Sequence, residues 1–149
     1  MSLFFSNVYS HSRAEGKFNP SDEKRKAWEE QGIDAHVLSI SDSYVLVYED
    51  YLRISQDKRI FVTKYEDMIY NRNSFFEKIS SALELGVEFR EHLNRKYKDE
   101  FKVNGEDIYR HKRQMLPGDY RRKLKGETIE ILNKKFENIL EALGYDANQ

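Results

Sequence analysis

The chain has 149 residues, a formal net charge of −1 and no cysteine. That is one domain's worth of polypeptide, long enough to bury a real core. The balance of 25 basic against 26 acidic side chains excludes a broadly cationic nucleic-acid binder, and the missing thiols exclude a disulfide scaffold, a thiolate metal site and a Cys nucleophile.

In chain order, residues 1–20 read as irregular up to Asn19-Pro20. Ser21 is placed to cap a short polar helix reaching about Gln31 and closed by Gly32. Residues 34–39 add another turn or two. Tyr44, Tyr48, Tyr51, Leu52 and Ser55 recur at helical spacing, so a helix is predicted over residues 42–55, although Tyr44-Val45-Leu46-Val47-Tyr48 is locally rich in β-formers. Arg59-Ile60-Phe61-Val62-Thr63-Lys64-Tyr65 is short, β-branched and bounded by charges, which predicts a strand. Phe75, Phe76, Ile79, Ala82 and Leu83 mark an amphipathic helix stopped by Gly86. Residues 88–103 carry Phe89, Leu93, Tyr97 and Phe101 as a stripe at i, i+4. The last helix is predicted over about 127–143, with Ile129, Leu132, Phe136, Ile139, Leu140 and Leu143 on one face and Gly144 just past its end. One strand cannot make a sheet. Either the chain hides other strands, or it is part of a larger α/β unit, predominantly helical with few strands, or it pairs with a partner.

The densest chemistry lies in residues 109–125, which hold seven Lys/Arg (110, 112, 113, 121, 122, 123, 125) against one acid, Asp119. Pro117-Gly118 supplies a tight turn in the middle. Guanidinium forks beside exposed backbone N–H groups are what a bound phosphate needs. Arg110, Lys112, Arg121, Arg122, Lys123 and Lys125 read as solvated surface, and Asp119 as an N-cap for the turn over residues 120–124. Asp67 reads as a helix cap. Histidines 11, 36, 92 and 111 are scattered, with no pair at i, i+4, so no metal site is predicted. No nucleophile elbow is present. Adjacent acids such as Glu66-Asp67 and Glu29-Glu30 point to different faces, which argues against a carboxylate dyad.

Two segments in fixed order resemble the sulfotransferase family, which moves a sulfuryl group from 3′-phosphoadenosine 5′-phosphosulfate (PAPS) to a hydroxyl or amine. The first is Phe61-Val62-Thr63-Lys64-Tyr65-Glu66-Asp67-Met68 with the helix after it. The second is His111-Lys112-Arg113-Gln114-Met115-Leu116-Pro117-Gly118-Asp119-Tyr120, similar to the family's Arg-Lys-Gly-x-x-Gly-Asp-Trp loop. The closing helix ending Leu140-Glu141-Ala142-Leu143-Gly144-Tyr145 also fits. The resemblance covers about residues 57–146. It implies that Arg113 grips the 3′-phosphate of PAPS, that Gln114 and Met115 add backbone N–H donors, and that Tyr65 lies near the adenine. Gln114 and Met115 stand where the family has Lys and Gly, and Tyr120 replaces its Trp. Ser2, in Ser2-Leu3-Phe4-Phe5-Ser6, matches the Ser of the family's Arg-x-Pro-x-Asp-x-x-x-Ser segment.

The resemblance also implies what is missing. No loop of the G-x-x-x-x-G-K-[ST] kind is present to cradle the 5′-phosphosulfate, and no residue matches the family's His base. The expectation is the C-terminal portion of a P-loop-like sulfotransferase domain, inactive alone, with PAPS as cosubstrate and no metal. It would need the remaining half or a partner chain. No apolar run reaches the length of a membrane span, the N-terminus lacks the pattern of a signal peptide, and a cysteine-free chain suits the cytoplasm. The rival expectation is a helical protein-interaction module whose basic loop binds an anion or acidic partner. A nucleic-acid contact through residues 110–125 would be strongly salt-dependent, and the near-zero net charge counts against it.

Overall fold

The computed structural model describes residues 21–97 and 117–145. Among them every regular element is a helix: α1 (Asp22–Gln31), α2 (Ile33–Ile54), α3 (Tyr65–Tyr70), α4 (Arg72–Ala82), α5 (Val87–Lys96), α6 (Tyr120–Lys123), α7 (Gly126–Lys135) and α8 (Glu137–Ala142). They fall into two compact units, the first holding α1, α2 and α6–α8, the second α3–α5.

In the first unit, Ser21 opens α1. Its Oγ accepts the Lys24 N–H at 3.3 Å, and Asp22 and Glu23 put negative charge at the positive end of the helix. The Gly32 N–H closes α1 on the Trp28 carbonyl. α2 then runs 22 residues without a break. The two helical stretches expected over 34–39 and 42–55 are one helix, because no Gly or Pro falls between them. Val37, Leu124 and Ile139 are the buried apolar side chains of this unit, where α2 packs on α1, α7 and α8. α2 and α7 run in the same direction. Asp34, near the start of α2, accepts the Lys125 N–H at 2.9 Å and a Thr128 side-chain bond at the start of α7. Lys135, at the end of α7, donates to Ser41 Oγ at 2.7 Å and pairs with Asp42 at 2.9 Å.

The single last helix expected over 127–143 is two. Phe136 separates them with φ −99° and ψ 8°. Backbone pairing continues through it, Phe136 N–H to Leu132 at 2.9 Å and Leu140 N–H to Phe136 at 2.8 Å. The Phe136 ring meets Tyr48 of α2 edge-on at 6.3 Å. Gly144 closes α8 as the sequence predicts, at φ +66°, where a side chain would be strained.

In the second unit, α4 packs on α3 and α5. Phe75 and Phe76 are its buried apolar pair. The Phe76 ring lies 5.6 Å from Phe75 and 6.2 Å from Tyr97, just beyond α5. Arg72 at the head of α4 donates to the Tyr97 carbonyl at 3.1 Å, and Arg90 reaches Glu77 at 3.2 Å. Gly86 does not stop α4. The chain turns at Glu84, φ +53°, with the Leu85 N–H reaching Ser80 at 2.7 Å, and Gly86 instead precedes α5 at φ −65°. Left-handed backbone at a non-glycine residue costs roughly 1 kcal/mol.

The α/β expectation is overturned: among the described residues there is no strand and no sheet. Residues 59–65, the predicted strand, are irregular up to Lys64, and Tyr65 already belongs to α3. The physical reason is the want of a partner. A strand is stabilised by a ladder, and Phe61, Val62 and Thr63 make no backbone hydrogen bond among the described residues. Upstream, the chain satisfies itself locally. The Ile60 N–H closes a turn on the Asp57 carbonyl at 2.8 Å, and the Asp57 carboxylate holds Arg59 through its N–H at 2.9 Å and its guanidinium at 2.6 Å.

Candidate functional site

Of the five residues expected to hold PAPS, Tyr65 is within the described residues; Arg113, Gln114, Met115 and Ser2 lie outside them. Tyr65 is the first residue of α3, directly after Lys64 in extended backbone (φ −99°, ψ 140°). Its side chain is 45% exposed. Partial burial, and then the neighbouring Glu66 carboxylate, raise its phenol above the ordinary tyrosine value, so it stays a neutral hydroxyl at physiological pH. A neutral, half-exposed ring at a helix start can offer a face to a purine. Asp67, in the first turn of α3, makes no capping bond there. It pairs with Lys78 of α4 at 3.1 Å, which ties the helix behind Tyr65 to its neighbour. Beside this pair lies an open cavity of about 550 Å³ lined by Phe61, Ser74, Glu77, Lys78, Ser81 and Ala82.

The second element of the expected site is the basic turn. Gly118 stands at φ +84° and accepts the Arg121 N–H at 3.1 Å, opening α6. The left-handed conformation is one that glycine adopts without cost, so the Pro117-Gly118 signal locates a genuine turn. Asp119 sits at the N-cap position, but its carboxylate caps nothing. It is buried, and it receives Arg122 at 2.5 Å and Lys123 at 3.0 Å. Lys123, expected on the surface, is only 16% exposed. Arg121 and Lys125 are exposed, with the Arg121 guanidinium 5.4 Å from the Tyr120 ring. The turn therefore divides its cations: Lys123 is spent on Asp119, while Arg121 and Lys125 reach solvent.

Two carboxylates organise this region: Asp119, which the sequence reads as an N-cap, and Asp34, which it does not single out. Asp119 had a readable signal, since Arg122 and Lys123 follow it at i+3 and i+4. Asp34 had none, as its partners are about ninety residues away in sequence. Backbone and side-chain hydrogen bonds from Lys125 and Thr128 hold its carboxyl below the usual aspartate value.

His36 is the third titratable group of note. It is 3% exposed, and its ring meets Trp28 edge-on at 5.5 Å. Burial lowers its pKa from the ordinary value of 6.5. Below that value the unfolded chain takes up a proton that the folded chain resists, so stability falls as pH drops through it. The expected result is a urea midpoint, followed by fluorescence of the sole tryptophan, that declines from pH 7.5 to 5.5. His36→Phe keeps the ring packing and should remove part of that slope, which for one proton is at most about 1.4 kcal/mol per pH unit.

Among the described residues no group of three His, Cys, Asp or Glu could hold a metal ion, and no helix is long and apolar enough to cross a membrane. Compared with protein-family models, curated proteins and solved structures, the chain matches none of them.

Proposed function

We propose that this chain is part of a PAPS-dependent sulfotransferase and carries the 3′-phosphate and adenine side of the cosubstrate site. The acceptor is a hydroxyl or amine, and the setting is cytoplasmic. The supporting structural observation is Tyr65: half exposed and neutral, at the head of α3, straight after an extended residue. The ordered motifs around Tyr65-Glu66-Asp67 and Arg113 support the same reading. Arg113 supplies the charge for the 3′-phosphate, Gln114 and Met115 supply amide donors, and Ser2 adds a hydroxyl. When bound, PAPS supplies the activated sulfuryl group; this chain's residues bind and orient it. Such catalysis is positioning plus charge stabilisation. With no anion cradle and no base, the chain alone should transfer no sulfate.

The test is isothermal titration of the chain with 3′,5′-diphosphoadenosine. Arg113→Ala should weaken binding at least ten-fold, since a charge-assisted contact contributes about 1.5–3 kcal/mol. Equal affinity in both forms, or heat from neither, ends the reading.

A second reading, a helical interaction module, is favoured by α2. Tyr44, Val47, Tyr51 and Ile54 form a stripe along it at i, i+3, i+7 and i+10, and all four are more than a third exposed. A helix stripe of that spacing fits the seam of a partner helix. On this reading 3′,5′-diphosphoadenosine leaves the melting temperature unchanged.

A further inference from the structure

We draw no further inference here: the strongest candidate, the exposed apolar face that Tyr44, Val47, Tyr51 and Ile54 make along the second half of α2, is an unpartnered helix surface, and nothing in the structure shows what covers it.

Discussion

Replacing Phe76 by Ala should cost about 3–5 kcal/mol, the range for emptying a buried aromatic site. Phe76 is 6% exposed and touches both aromatic neighbours of the second unit, Phe75 on the same helix and Tyr97 past the end of α5. The ring is the material that holds α5 against α4. Around it the polar ties are Arg72 to the Tyr97 carbonyl and Arg90 to Glu77. The second of these is solvent-facing and worth little by itself. Phe75 and Phe76 are the buried apolar side chains among the described residues of this unit. Native domains are stable by only about 5–15 kcal/mol, so Phe76→Ala should remove a large part of what holds these helices. Urea denaturation followed by far-UV circular dichroism should show a lower midpoint. Phe76→Leu, which refills much of the space, should cost about 1–2 kcal/mol. If the Ala variant unfolds at the parent's midpoint, the ring does not hold α4 and α5 together.

Asp119→Ala should destabilise the first unit by about 2–3 kcal/mol, because it removes a buried carboxylate that pairs with both Arg122 and Lys123. The carboxylate side chain is 6% exposed and Lys123 16%, so the ammonium cannot recover full hydration when its partner goes. Arg122 is 64% exposed and can turn to water, which keeps the cost below that of a fully buried pair. Tryptophan fluorescence during urea unfolding reads this unit, because Trp28 lies in α1 against His36. Adding Lys123→Met to Asp119→Ala should restore part of the loss, because a largely buried charge facing the vacated carboxylate is then gone. A double variant no better than the single one would mean that Asp119 acts through something other than Lys123.

Helix ends marked by one residue's chemistry were legible in the sequence. Ser21 caps α1 with its own hydroxyl and Gly144 closes α8 in the left-handed region, each for a reason that needs no knowledge of the rest of the chain. Features decided by distant packing were not. Residues 59–65 have the composition of a strand, but a ladder needs a second strand, and none is among the described residues. The break at Phe136 follows from nothing in the helical period, and Glu84 takes a conformation that its residue type disfavours. Of the candidate site, Tyr65, expected at the end of a strand, is instead the first residue of α3. The two buried or bonded acids divide in the same way. Asp119 meets cations three and four residues on, a local rule, whereas Asp34 meets the far end of the chain.

That reach of Asp34 bears on how the protein is made. Its carboxylate completes the cap of α7 across 91 residues of sequence. During synthesis α2 leaves the ribosome long before Lys125 exists, so its apolar flank must wait uncovered while everything between is translated. The stretch over α3–α5 is finished first and can collapse on its own contacts. A nascent chain stalled short of residue 125 should be a client for chaperones, because α2 then has only α1 to pack on and still lacks α7 and α8.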